Sequence, residues 1–296
     1  MITARPLVDG DLGAVVDLLH AYDRRWFGEP VLTAEDVAAE WAGPGFDLAT
    51  DSEGWDDDGS LVAFGTLSTR AAIEIAVHDD WAGAGLEDAI LERWETEARH
   101  RGHCAVHRDV PAGDEAGLAR LEARGWRVAR TGWMLALAAG TTVAEQALPT
   151  GFDVRPMVEA DVPAVYDVIS AAFAPYESTM RSYDEWRAIR LDREDVAVDH
   201  CQVLTWQGTV VGACLAVDPP GNDPDPELWV AQLAVAPAHR RRGLARELLA
   251  RTVLAARARG VPRAALYTHR DTGALGLYER FGMVVRHTLL ECTLVL

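Results

Sequence analysis

The chain repeats itself once. DLGAVVD at residues 11–17 matches DVPAVYD at residues 161–167, an offset of 161 − 11 = 150. Each copy is introduced by an extended stretch, an Arg-Pro pair and an acidic residue placed to cap a helix: TARPLVDG at 3–10 and DVRPMVEA at 153–160. A period this long means two copies of one domain, because the units of a solenoid are far shorter. A chain of 296 residues has room for both. The sequence therefore divides into a first copy at 1–138, a linker at 139–151 and a second copy at 152–296. The linker region (AAGTTVAEQALPTG) is rich in small residues and lacks a periodic apolar face.

Composition narrows what the copies can do. The chain is 49% hydrophobic, enough for a core in each copy. No run reaches the eighteen or so apolar residues of a membrane span, and the first residues lead straight into polar sequence. The four cysteines (Cys104, Cys201, Cys214, Cys292) are scattered, as expected of inert thiols in a reducing compartment, so a cytoplasmic protein is expected. All 28 basic residues are arginine, which excludes a Walker phosphate loop and a lysine Schiff base. With 46 acidic residues the formal net charge is -18. Such a surface repels nucleic acid and anionic membranes, and it accommodates a cationic amine. Solubility alone explains the same charge equally well. Abundant Ala, Arg, Gly and Val beside scarce Lys and Asn suggest a GC-rich bacterial source.

Local patterns give the element order. In the first copy, helices are expected near 11–23, 33–41, 85–100 and 114–124. Strands are expected at 47–50, 60–67, 71–77, 104–107 and 126–137, with an acidic, turn-rich loop at 51–59. The second copy repeats this, with helices near 161–173, 182–189, 243–259 and 272–280. Its hairpin turns at Gln207-Gly208, where glycine suits a tight turn. The prolines of 219–226 rule out regular structure. Gly260 sits where a helix-ending glycine belongs, ahead of Pro262.

Residues 228–246, LWVAQLAVAPAHRRRGLAR, hold the strongest chemical signal: a strand, an arginine-rich turn with one glycine, then a helix start. A helix N-terminus has unpaired N–H groups and a positive dipole end, so it holds an anion. Gly243 lets a phosphate approach the backbone, and guanidinium groups pair with phosphate in bidentate fashion.

This stretch resembles the GNAT superfamily of N-acetyltransferases. Residues 240–245 (RRRGLA) fit its Q/R-x-x-G-x-G/A motif, and LAVAP at 233–237 stands where the family has the end of its fourth strand. Ala274, Leu277, Tyr278 and Gly282 fit an A-x-x-L-Y-x-x-x-G pattern; Asp271 replaces the usual Asn and Met283 the frequent Phe. The resemblance implies an α+β (mixed α/β) fold of two tandem GNAT-type domains. Each would have a mixed, mostly antiparallel sheet with a splayed central strand flanked by helices. It also implies acetyl-CoA as co-substrate. The backbone of Leu233, Ala234 and Val235 would take the pantetheine arm. Arg240, Arg241, Arg242, Gly243, Leu244, Ala245 and Arg246 would take the pyrophosphate, with Asp271 and Ala274 beside the coenzyme. Tyr278 would protonate the leaving thiolate, and a backbone N–H at or near Leu233 would meet the oxyanion. For the base, Glu227, Glu177 and Glu291 remain open.

The first copy reads as degenerate. Val77 to Gly85 is eight residues, as is Val235 to Gly243, so Ala82 stands at Arg240 and Glu87 at Ala245. Matching Gly125 to Gly282 puts Leu121 at Tyr278. The asymmetry is similar to mycothiol synthase and other two-domain actinobacterial acetyltransferases, in which the C-terminal copy works. The expected activity is acetyl transfer to a primary amine of a small, cationic molecule or a peptide N-terminus, by a monomer or homodimer. A non-catalytic acyl-CoA-binding or regulatory protein on the same fold is the alternative.

Overall fold

A computed structural model describes residues 2–176, 180–221 and 223–296. The chain forms two compact units: Met1–Thr131 with Thr288–Leu296, and Gly132–His287. It passes from the first to the second within one strand and returns within its last.

The first unit opens with β1 (Thr3–Arg5), α1 (Leu12–Phe27), α2 (Ala34–Trp41) and the single turn α3 (Leu48–Asp51). Thr33 and Asp36 form a capping box that starts α2, as its sequence predicts. Then come β2 (Ser52–Asp57), β3 (Ser60–Leu67) and β4 (Ile73–Val77), which with β1 make the antiparallel order β1-β2-β3-β4. Here the expected layout is corrected. Residues 48–51 are helical, because Asp47 caps them, and the acidic loop is mostly strand β2, turning only at Asp58-Gly59. Both residues have positive φ, which a two-residue hairpin turn requires. The unit continues with α4 (Leu86–His100), β5 (Ala105–Pro111), α5 (Glu115–Ala123) and the start of β6 (Arg127–Leu137).

The second unit contains the end of β6, then β7 (Phe152–Pro156), α6 (Val162–Phe173), α7 (Tyr183–Arg190), β8 (Gln202–Trp206) and β9 (Thr209–Val217). β10 (Glu227–Val235), α8 (Leu244–Ala258), β11 (Arg263–His269), α9 (Leu275–Phe281) and the start of β12 (Val284–Val295) complete it. Its strand order is β6-β11-β10-β9-β8-β7. Only β10 and β11 run parallel; the other pairs are antiparallel. The helix expected from 272 begins at Leu275, since Arg270–Thr272 is a 3-10 turn and Gly273 has φ +63°.

The units depart from the repeat boundaries at 138 and 152. Gly132 to Leu137 of β6 pair with β11 in the second unit, while Leu289 to Val295 of β12 pair with β5 in the first. Each exchanged strand covers an edge that would otherwise expose unpaired backbone. The apolar faces of α8 and α9 cover one face of the second unit's sheet, with Leu248, Val253, Tyr278 and Phe281 among the buried residues. On its other face α6 and α7 pack through Val165, Ile169 and Trp186.

Gly65 of β3 packs beneath α4 in the first unit. A Cβ there would lie 2.4 Å from Ile90 Cγ2 and 2.6 Å from Trp94 Nε1, both on fully buried side chains. Gly65→Ala is expected to cost about 1–3 kcal/mol through overpacking, read as a lowered midpoint in urea unfolding.

Candidate active site

The second unit's parallel pair runs from Glu227↔Arg263 to Val230↔Leu266 and stops. Directly after Val230 the register of β10 against β9 slips, with Ala231 as the extra residue. Such a bulge bends its strand. From there β10 pairs only with β9, through Val235↔Gly212, while β11 continues to His269 against β6. The two arms part, and the edge of β10 facing β11 has no strand partner.

The phase of the hydrogen bonds fixes what faces this opening. Ala236 donates its N–H to the Val211 carbonyl at 2.8 Å, so Gln232 and Ala234 address β9 as well. Leu233 and Val235 therefore direct N–H and C=O into the opening. Gln232 turns its side chain toward α7, where it accepts from Trp186 Nε1 at 2.8 Å.

The backbone of the turn beyond β10 is concave. Arg241 has φ +63° and Gly243 φ +77°, conformations in which successive N–H groups form a concave nest. No side chain caps α8, and its first internal bond is Glu247 N–H to Gly243 O. The N–H groups of Leu244, Ala245 and Arg246 have no acceptor within the helix. Glu247, the one acid in this turn, is buried and directed elsewhere, accepting from Gln146 N at 2.6 Å and Arg251 Nε at 2.9 Å.

The three arginines are not equivalent. Arg240 folds back, donating Nε to the Val235 carbonyl at 2.9 Å and Nη2 to Ala172 O at 3.4 Å, so it braces the turn. Arg241 and Arg242 are exposed. Arg246 donates to Ala144 O at 3.2 Å and lies over the Phe281 ring. Asp271 sits in the exposed 3-10 turn before α9, and Ala274 is the N-cap residue of α9, its N–H held by Thr272 Oγ1 at 3.2 Å.

Tyr278 is 7% exposed and belongs to the core beneath α8 and α9. Burial, and then the Cys214 thiol, push its pKa up, so the phenol holds its proton firmly. The candidate bases fare differently. Glu227 forms a bidentate pair with Arg286, at 2.8 and 2.5 Å. It also lies at the closed end of the parallel pair. Six residues separate it from Leu233, roughly 20 Å along a strand. Glu227 thus lies away from the opening. Glu291 belongs to the first unit, in β12 opposite Asp109 and 3.7 Å from Arg130. Glu177 lies outside the described residues. Among the described residues no group of His, Cys, Asp and Glu could hold a metal, and no helix is long and apolar enough to cross a membrane.

The first unit shows the same frame put to another use. The parallel bridge Ala72↔His107 lies just before β4, and among the described residues β4 and β5 share no ladder beyond it. Shifting by 158 residues, the Gly85-to-Gly243 offset, places Ile75 at Leu233. Arg108 Nη2 donates to the Ile75 carbonyl at 3.2 Å, occupying the backbone acceptor that the second unit leaves open. The sister turn carries Glu87 and Asp88 at the helix start, 3.4 and 3.6 Å from Arg120. Arg25 nearby is paired with Asp79 at 3.0 Å. Charges of this sign oppose phosphate.

Residues 162–283 match the family profile described as "Acetyltransferase (GNAT) family". This segment is a GNAT domain. The fold of the whole chain is that of tandem GNAT proteins. A GCN5-related N-acetyltransferase from Sphaerobacter thermophilus is 25% identical, with TM-score 0.82 over 99% of this chain and 95% of that one. A tandem GNAT protein from the clavulanic acid biosynthesis pathway is 14% identical, TM-score 0.75, over 99% and 98%. Saccharomyces cerevisiae N-myristoyltransferase with bound myristoyl-CoA is 13% identical, TM-score 0.65, over 99% and 79%. No curated protein matches the chain. The GNAT domain and the S. thermophilus likeness support an acyl-CoA-dependent acyltransferase.

Glu74 in the first unit, placed at Gln232 by the same shift, gives a test of that unit's altered crevice. Burial pushes its carboxyl up to about 8; Glu40 and Asp23 reinforce the shift and Arg108 opposes it. The folded chain holds this proton over a range in which the unfolded chain, with a carboxyl near 4.3, has released it. Stability contributed here is therefore lost as pH rises from about 4 to about 8. Glu74→Gln should gain in melting temperature over the wild type between pH 5 and pH 9, and an unchanged difference would contradict this assignment.

Proposed function

We propose that the second unit transfers an acetyl group from acetyl-CoA to a primary amine, on a small cationic molecule or a peptide N-terminus, by direct attack. The parting of β10 from β11 beside the uncapped α8 turn carries this reading. The Leu233 and Val235 backbone would pair with the pantetheine arm as an added strand. The α8 turn, with Arg241 and Arg242 at its rim, would hold the pyrophosphate. The Leu233 N–H would face the oxyanion of the tetrahedral intermediate.

Collapse of that intermediate breaks the C–S bond and releases a thiolate. Tyr278, whose burial keeps it protonated, would donate the proton. Acyl-CoA is consumed as a substrate, so no cysteine nucleophile is needed. Cys214 is unsuited to the role in any case, since burial raises its thiol to about 12. The first unit, with its opening crossed by Arg108 and its turn acidic, would frame the chain without a second coenzyme.

Titration calorimetry of the full chain with acetyl-CoA should give one site per chain. Gly243→Glu should weaken it at least tenfold, a change of about 1.4 kcal/mol. Tyr278→Phe should leave binding intact and lower kcat about 100-fold. Binding without transfer to spermidine, tobramycin or an alanyl dipeptide would favour a non-catalytic acyl-CoA-binding protein. No binding at all would overturn the reading.

A further inference from the structure

We infer that Gln232 selects the amine substrate by donating its side-chain N–H groups to an oxygen beside the reacting nitrogen. The substrate is then an α-amino carbonyl compound, a peptide N-terminus or an amino acid, and not a polyamine. This assignment rests on the function proposed above and narrows its substrate class.

The bulge decides which way Gln232 points. Side chains alternate between the two faces along a strand. Leu228 and Val230 enter the core beneath α8 and α9, and so do Leu233 and Val235, an even-numbered pair followed by an odd-numbered one. Ala231, the extra residue, makes that change of phase. In a regular strand Gln232 would follow Val230 toward α8. Instead it joins Ala234 on the face covered by α6 and α7. The residue at which the parallel pairing ends thus also turns Gln232 over.

The surroundings of the side chain fix its orientation. β9 sets the buried Leu215 opposite Gln232 on one flank. α7 supplies Trp186, whose indole N–H meets Oε1 at 2.8 Å. An indole nitrogen only donates, so the oxygen end of the amide must be the end at Trp186. Trp186 is 4% exposed and packs against the rings of Tyr166 and Tyr183, with centroids 5.4 and 6.3 Å away. The anchor is therefore rigid. The remaining flank is the opening, since β10 has no strand partner on that side beyond Val230↔Leu266. Gln232 keeps part of its surface accessible, and its Nε2 finds no acceptor among the described residues.

The chemistry follows from which groups can meet there. Tyr278 lies on the α8–α9 face, so the thiolate would take its proton on that side and the amine would attack from the α6–α7 side. Gln232 is next to Leu233, whose N–H would face the oxyanion, and its amide is on the amine's side. An ammonium group has only donors, so Nε2 cannot hold it. A carbonyl or carboxylate oxygen suits Nε2, and an α-amine carries one on the carbon next to its own. This class also eases deprotonation. An α-amine titrates at about 7.7–8.0 and a lysine-type amine at about 10.4, so far more of the former is neutral near pH 7. Gln232 takes no proton itself, and the bond changes are those proposed above. At the offset of 158 the first unit carries Glu74 in this place, and a carboxyl offers no pair of N–H donors.

The test measures acetyl transfer by the full chain to alanyl, glycyl and seryl dipeptides and to spermidine. The wild type should use a dipeptide with kcat/KM at least about tenfold above that for spermidine. Gln232→Leu should raise the KM for that dipeptide about tenfold, with kcat and the Kd for acetyl-CoA within about threefold. Gln232→Glu should move the dipeptide-to-spermidine ratio about tenfold toward spermidine. Trp186→Phe keeps a ring in the cluster but removes the donor to Oε1, and it should reproduce the raised KM. A wild type that prefers spermidine would overturn the assignment. So would an unchanged dipeptide KM in both Gln232 variants, or equal loss toward dipeptide and spermidine in both. A wild type that binds acetyl-CoA yet neither acetylates a dipeptide nor binds one in calorimetry with CoA present would overturn it as well. Failure of the wild type to bind acetyl-CoA would instead overturn the proposed function.

Discussion

Everything chemical in the second unit depends on one extra residue. Ala231 slips the register of β10 against β9 just where β10 stops pairing with β11. A regular ladder would have satisfied the Leu233 and Val235 backbone groups with another strand. The bulge leaves the Leu233 N–H and C=O and the Val235 N–H facing an opening, the Val235 carbonyl being taken by Arg240 Nε, and a buried unpaired N–H or C=O costs about 1–3 kcal/mol. Such groups are therefore a standing demand for a partner. The helix that follows makes the same demand at its uncapped first turn. In the function proposed above, a ligand with an amide-bearing arm and a pyrophosphate would answer both.

The duplicated frame shows how a chain can silence such a demand without losing the fold. In the first unit Arg108 donates to the Ile75 carbonyl, so an internal guanidinium takes the place of a ligand. Its helix start carries Glu87 and Asp88, which satisfy the positive end of the α4 dipole from within. The buried frame changes little: Ile90 and Trp94 of α4 hold the places that Leu248 and Thr252 hold on α8, and all four are buried. The core preserves the architecture, and a few side chains at the opening separate the two outcomes.

Much of this was legible in the residues. The offset of 150, the glycines at 85 and 243 and the helix-ending Gly260 and Gly282 led directly to elements the structure contains. Both of these helix ends have glycine at positive φ, and Val261 and Met283 each close back on a carbonyl five residues earlier. The strand exchange was not legible, because a strand's sequence records that one face is buried but not which neighbour supplies its hydrogen bonds. Residues 48–51 were misread because LAT suits a strand as well as a helix, and the capping bond from Asp47 decides it. The family motif places Arg240 among the pyrophosphate residues. Its hydrogen bond to Val235 O is a short-range contact across a turn that no motif encodes. The distance of Glu227 from the opening likewise depends on where the parallel pairing ends.

The exchanged strands also set an order of assembly. Residues 1–131 are synthesised first, yet their unit is completed by Thr288–Leu296, which follows the whole of the second unit. Until that stretch arrives, β5 keeps an unpaired edge, and the core around Val106 and Leu121 lacks Cys292 and Leu294. The linker between the repeats is thus a poor place to divide the protein, since each half would keep a strand belonging to the other. A contact spanning nearly the whole sequence is slow to form. The nascent first unit stays an open sheet until the second unit and residues 288–296 have been made.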